Sequence, residues 1–347
     1  MNESWMIREI RKQPETLERL ISCEGDNIKG VARTIKKYGP RFIVLAARGS
    51  SDNAATYGKY LFEWRNGIPS MLAAPSVFTI YRGRLELKDG VVIGISQSGE
   101  ATDIVETLAR ARKNAGLVVA VTNTPNSAIT RVADATILLH AGRERALAAT
   151  KTYTSQLLAL MMLSAALREE KEFTQNLYRI PQQINRILSL ENEIRQLSER
   201  YRYMEHCVII GRGFNYATVR EAALKLMETC YVVAQPFSTA DFLHGPIAMM
   251  GEGFPVFMCA PRGKMIEPMQ KMALDLRKRQ VETVVVSSNP KMLSTGSRTV
   301  KMPSSHPEII SPLYYIIPFQ FFANYCAVAK GINPDNPRYL QKITRTF

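Results

Sequence analysis

The sequence predicts an α/β chain of two doubly wound parallel-sheet domains related by internal duplication. Three observations carry this. Short, continuously apolar runs alternate with helical patterns, as in sheets covered on both faces. Each run ends in a turn rich in Gly, Ser, Asn or Pro. The landmarks then repeat: Arg48-Gly49 recurs as Arg212-Gly213, and Thr122-Asn123-Thr124-Pro125 as Ser287-Ser288-Asn289-Pro290. The two offsets along the chain differ by a single position, which points to duplication rather than chance.

Residues 1–40 are polar and helical in pattern, a lead-in rather than a domain. The first run begins at Phe42 and ends in Arg48-Gly49-Ser50-Ser51, with a helix to about Arg65. The second, from Val91, ends in Ser96-Gln97-Ser98-Gly99, and its helix reaches about Asn114. Runs from Leu117 and Ala135 complete a first domain over residues 41–167. Residues 168–200 are charged and helical in pattern, a connector that Pro181 should break. In the second domain, residues 201–330, runs begin at Cys207, Pro255 and Glu282, and a helix follows Gly211-Arg212-Gly213. Residues 331–347 carry Pro and Asn and predict a mostly extended tail.

Composition bounds the function. With 347 residues, 46% apolar and 22% charged, the chain can build full cores without staples. Five scattered cysteines with no C-x-x-C argue against a disulfide framework or a zinc ribbon, and a cytoplasmic setting is expected. No metal or cofactor is expected. The apolar stretches Leu157–Leu167 and Leu313–Ala329 are short or interrupted, so both are read as buried helices and no membrane association is expected. The formal charge of +14 is spread along the chain without an aromatic-interleaved basic stripe. It reads as a solvated basic surface that can concentrate an anionic substrate without identifying one, and no nucleic-acid partner is expected.

Four features could carry chemistry. Ser96-Gln97-Ser98-Gly99-Glu100-Ala101-Thr102 joins a strand to a helix start, where free N–H groups and hydroxyls suit a phosphate. A merely capped helix is the alternative. The parallel turn Gly49-Ser50-Ser51 tilts the balance toward phosphate. Glu221, Lys225 and Glu228 fall at i, i+4 and i+7 on an otherwise apolar helix. They form either a solvated Glu–Lys pair or a stripe facing a cleft. His244 stands before Gly245-Pro246, whose fixed turn could present its ring, though a lone histidine is more often structural. Lys342, taken alone, is an ordinary tail lysine.

Together these residues resemble the sugar isomerase (SIS) family over residues 41–347, most extensively the isomerase half of glucosamine-fructose-6-phosphate synthase. Ser96-Gln97-Ser98-Gly99-Glu100 is similar to the family's phosphosugar loop. Ala222-Ala223-Leu224-Lys225-Leu226-Met227-Glu228 resembles the helix of the catalytic glutamate. His244-Gly245-Pro246 and the tail Asn336-Pro337-Arg338-Tyr339-Leu340-Gln341-Lys342 match its further motifs. The resemblance implies SIS-type, flavodoxin-like domains and a phosphorylated sugar substrate. It also implies a homodimer whose site takes His244 from the neighbouring subunit.

The roles it implies are specific. Glu228 moves a proton between C1 and C2 of the open-chain sugar. His244 assists ring opening, and Lys225 polarises oxygen near C1. Lys342 reaches a C2 carbonyl. Gly49, Ser50, Ser51, Ser96, Gln97, Ser98 and Thr102 hold the phosphate and nearby hydroxyls. The chain departs from the synthase at Arg48, where the synthase has cysteine, and at Ala101 and Ala149. The synthase's glutaminase segment has no counterpart here. Arg48-Gly-Ser-Ser-Asp-Asn-Ala and Ser96-Gln-Ser-Gly look more like the SIS-type glucosamine-6-phosphate deaminases. The expected reaction is glucosamine 6-phosphate plus water giving fructose 6-phosphate and ammonia. A fructosamine 6-phosphate deglycase is the nearer alternative, and a non-catalytic phosphosugar sensor the more distant one.

Overall fold

The computed structural model describes residues 3–341. The chain forms two compact units, each built on one five-stranded, wholly parallel sheet.

In the unit of residues 12–144 and 149–182, the strands are β1 (Phe42–Ala47), β2 (Ser70–Leu72), β3 (Leu87–Ser96), β4 (Ala115–Thr122) and β5 (Ala135–Leu138). Their order is β2-β1-β3-β4-β5. The long helices are α1 (Gln13–Tyr38), α2 (Ser50–Leu61), α3 (Thr102–Asn114) and α4 (Lys151–Arg168). Side chains alternate along each strand, so the two faces bury different sets. Val44, Ala46, Val92, Val118 and Ala120 pack with Ile104, Leu108 and Ala111 of α3. On the other face, Gly58 of α2 sits so close to Leu45 and Leu160 that an added Cβ would lie 3.3 Å from each. Burial on both faces explains why β1, β3 and β4 are continuously apolar rather than alternating.

In the unit of residues 3–11, 145–148 and 183–340, the strands are β6 (His206–Gly211), β7 (Val233–Ser238), β8 (Pro255–Cys259), β9 (Glu282–Ser287) and β10 (Arg298–Lys301). Their order, β10-β9-β8-β6-β7, is the first sheet's order with strands renumbered. β1 begins at Phe42 and β6 at His206, the same offset as from Arg48-Gly49 to Arg212-Gly213, so the duplication extends to topology. Here α5 (Asn215–Cys230), α6 (Ile266–Lys278) and α7 (Ser311–Ala329) are the long helices. α6 covers one face through Met269, Met272, Ala273 and Leu276. α7 covers the other, with Phe319 and Phe322 in edge contact with Phe257 of β8.

Two details differ from the sequence reading, and a third agrees with it. Strands β2, β7 and β10 carry no clear apolar run, yet all three form, each at a sheet edge. Pro181 marks the break expected in the connector, since one helix ends at Tyr178 and the next begins at Ile180. It occupies the first turn of a helix over Ile180–Leu188, where its missing N–H costs nothing. Residues 1–40 are less polar in function than in composition, since Leu17, Leu20, Ile28 and Ile35 of α1 are buried. Among the described residues, no helix is long and apolar enough to cross a membrane.

Candidate functional site

The two serine-rich turns of the first unit lie side by side. β1 and β3 are neighbours in register, Ala47 opposite Ile95, so Arg48-Gly49-Ser50-Ser51 and Ser96-Gln97-Ser98-Gly99 leave the sheet at the same level. Here the strand order reverses direction. In sheets of this order, ligands bind beyond the carboxyl ends of the strands at this crevice.

Each turn has the backbone this requires. Gly49 precedes α2 at φ 57°, ψ −133°, a conformation that disfavours any side chain. Gly99 is at φ 69°, and a Cβ there would lie 2.1 Å from the Ser127 Oγ. The serines are not spent on capping α3. The Ser96 Oγ accepts from the Gly99 N–H at 3.1 Å, and the Ser98 Oγ from the Glu100 N–H at 3.2 Å. Ala101, which has no capping oxygen, precedes Thr102, and its carbonyl accepts from the Val105 N–H. The first turn of α3 therefore keeps donors for a ligand. Glu100 turns aside, its Oε1 accepting from the Ala128 N–H at 2.9 Å. Gln97 and Ser98 are half-buried, as are Thr102 and Ser50.

Two buried residues hold this crevice, and neither was singled out in the sequence. The Gln156 Nε2 on α4 donates to the Ser51 Oγ at 2.9 Å, while its Oε1 has no partner. The Asp103 Oδ2 accepts from the Arg48 Nε at 2.6 Å.

The second unit holds the charged stripe. Glu221 and Lys225 on α5 are fully buried, and only Glu228 reaches solvent, at 22% side-chain exposure. The Lys225 Nζ lies 2.5 Å from the Glu228 Oε2 and 3.3 Å from the Glu221 Oε1. Burial alone would lower the pKa of this ammonium. The two carboxylates outweigh burial and hold it above the usual lysine range, so Lys225 is charged. A buried cation shared by two carboxylates fixes the orientation of Glu228, the one with an open oxygen. The stripe is thus not a solvated surface pair.

The other expected residues are placed less closely. His244 is exposed at the end of a short helix, Thr239–Leu243, followed by Gly245 at φ 138°. Among the described residues, no hydrogen bond or ion pair joins it to Lys225 or Glu228. Lys342 lies outside the described residues. Four positions before it, Arg338 is pinned to the end of α5. The Arg338 N–H donates to the Tyr231 hydroxyl at 2.8 Å, and its guanidinium lies 4.2 Å over that ring.

The second sheet has the equivalent switch point, but its own carboxylate fills it. The Lys264 N–H, after β8, donates to the Glu308 Oε2 at 2.8 Å. A Cβ at Gly263 would lie 2.1 Å from that oxygen, and one at Gly213, after β6, 3.5 Å from the Oε1.

The SIS domain family matches the chain twice, over residues 38–166 and 202–330. This chain belongs to the SIS domain family. Among curated proteins, it is 33% identical to a glutamine–fructose-6-phosphate aminotransferase (isomerizing) of Thermococcus kodakarensis, over 97% of this chain and 57% of that protein. The corresponding protein of Aquifex aeolicus is also 33% identical, with the same coverage. The chain therefore spans somewhat over half the length of these relatives. Among solved structures, it resembles the C-terminal domain of glucosamine-fructose-6-phosphate aminotransferase from Francisella tularensis. The TM-score is 0.88 at 26% identity, over 96% of this chain and 98% of that one. A glucosamine-6-phosphate deaminase of Thermotoga maritima shares the fold, with a TM-score of 0.78 at 21% identity, over 99% and 100%.

Proposed function

We propose that this SIS protein is a phosphosugar isomerase-deaminase, converting glucosamine 6-phosphate and water to fructose 6-phosphate and ammonia. The observation that carries the reading is the buried triad on α5. Ammonium Lys225 between Glu221 and Glu228 leaves one oriented, half-open carboxylate of the type an aldose–ketose proton transfer needs. In the proposed reaction, Glu228 takes the proton from C2 of the open-chain aldehyde. Lys225 stabilises the oxygen charge that develops near C1. The proton returns at C1, leaving an imine at C2. Water adds at C2, the C–N bond breaks, and ammonia leaves.

The phosphate belongs at the crevice of Ser50, Ser51, Ser96, Gln97, Ser98 and Thr102, with Gly49 and Gly99 admitting close approach. Lys342 and His244 are assigned to the C2 carbon and to ring opening by their likeness to the family's motifs. What supports the sugar-phosphate class is the family, the open donors of α3, and the relatives' printed activities.

The test is ammonia release from glucosamine 6-phosphate, with fructose 6-phosphate measured as co-product. Glu228→Gln should lower turnover by about 10²–10⁴-fold, the usual contribution of a positioned acid–base. Ammonia release unchanged by Glu228→Gln would refute the assignment. Wild type inert on glucosamine 6-phosphate but active on fructosamine 6-phosphates would make the protein a deglycase.

A further inference from the structure

We propose that Arg48 is a further substrate-binding residue, held by Asp103 so that the free end of its guanidinium takes the sugar's phosphate. The inference rests on the phosphosugar reading of the crevice and names a contact that the serine-rich loops alone do not supply.

The argument starts from position. Arg48 is the first residue after β1, level with Ser96 across the β1–β3 pair. Its partner, Asp103, is the second residue of α3, adjacent to Thr102. The guanidinium is thus tethered at the helix start whose donors remain open.

The form of the pair then decides between a structural brace and a ligand-binding arm. A brace would use the bidentate fork and bury it. Here Asp103 is buried, its side chain 2% exposed, while the Arg48 side chain is 54% exposed. Only the Nε donates to Asp103, at 2.6 Å. The Asp103 Oδ1 has no partner, so the Nη groups are not bonded to it. No other hydrogen bond of the Arg48 side chain occurs among the described residues. Asp103 thus positions the arginine through one nitrogen and leaves both Nη groups to a second anion. A phosphate fits that geometry, since two parallel N–H donors match two of its oxygens. The loop hydroxyls and helix N–H groups are neutral, so Arg48, though balanced by Asp103, is the group here that brings charged N–H donors to the crevice.

The test is calorimetric titration with sorbitol 6-phosphate, which has no carbonyl to react, and with inorganic phosphate. Wild type is compared with Arg48→Gln and Arg48→Lys, and melting temperature is measured alongside. Arg48→Gln should weaken both ligands by about 10- to 100-fold, the range for a lost charge-assisted contact. Arg48→Lys should keep the melting temperature without restoring affinity, because one ammonium cannot serve Asp103 and the phosphate together. Wild-type affinity in Arg48→Gln would overturn the inference and leave the functional reading intact. Wild type that binds neither sorbitol 6-phosphate nor inorganic phosphate would overturn the functional reading, and this inference with it.

Discussion

Replacing Lys225 by Met tests whether the α5 triad is held together by charge. Methionine keeps the chain as far as Cε and removes the ammonium. At 3.3 Å and an effective dielectric near 20, the attraction between Lys225 and Glu221 is about 5 kcal/mol. Breaking a buried pair by removing one partner costs about 3–5 kcal/mol, because the surviving charge stays buried. A domain of this size loses about 2–4 °C of melting temperature per kcal/mol, so the unit carrying α5 should melt roughly 6–20 °C lower at pH 8. The pH dependence gives the sharper sign. In wild type, the raised Lys225 pKa gives stability that is full below the ordinary lysine range and lost only above it, so this group adds no slope between pH 5.5 and 8. In the variant, Glu221 loses its cation and binds a proton more tightly when folded than unfolded. The variant should therefore recover stability as the pH falls from 8 to 5.5. Calorimetric melts of both proteins at the two pH values make the comparison. A variant as stable as wild type at pH 8, with no pH-dependent difference, would refute the reasoning.

Two further predictions concern groups outside the triad. Gln156→Leu should raise KM for the phosphosugar several-fold with little change in melting temperature. The substitution frees Ser51 but also removes the unpartnered buried Oε1, and steady-state kinetics with thermal melts separates the two effects. His306 is lowered to about 4 by burial and by the charge of Arg186. Because it is folded as neutral imidazole, it takes up protons on unfolding below its ordinary value of about 6.5. Its contribution should cost stability as pH falls from about 6.5 to 4, and His306→Gln should flatten that part of the stability profile measured by denaturant melts.

What the sequence showed follows from what is local. β1, β3, β4, β6, β8 and β9 are legible because burial on both faces demands continuous apolar residues. Of the edge strands, only β5, the run from Ala135, is legible. β2 has three residues, β10 is Arg-Thr-Val-Lys, and β7 contains Pro236, which an edge tolerates because one side of the strand needs no ladder donor. The spacing of Glu221, Lys225 and Glu228 is equally local, one helical face within eight residues. The groups that hold the crevice are not local. Arg48 and Asp103 are 55 residues apart, and Ser51 and Gln156 are 105 apart. No periodicity links them, and Asp103 taken alone has the signature of an ordinary acidic residue in a helix's first turn.

The duplication explains why the two halves do different work. Both sheets have one strand order, so both make a switch point, and a chain of two equal halves would offer two anion sites. The second is spent internally. Glu308 brings its own carboxylate to the loops after β6 and β8, where the Lys264 N–H receives it, and burial raises its pKa. A phosphate has no place beside that carboxylate, because like charges at contact distance repel. The helix after the first strand diverges in the opposite sense. In α5 it carries the Glu221–Lys225–Glu228 triad. In α2, at the offset that sets Arg48-Gly49 on Arg212-Gly213, the positions matching Glu221 and Lys225 are Tyr57 and Leu61, which cannot form an ion pair. In the proposed reading, the first half supplies the phosphate anchor and the second the base, with its own switch point closed by Glu308. A substrate that needs both an anchor and a base is a physical reason for two copies to diverge.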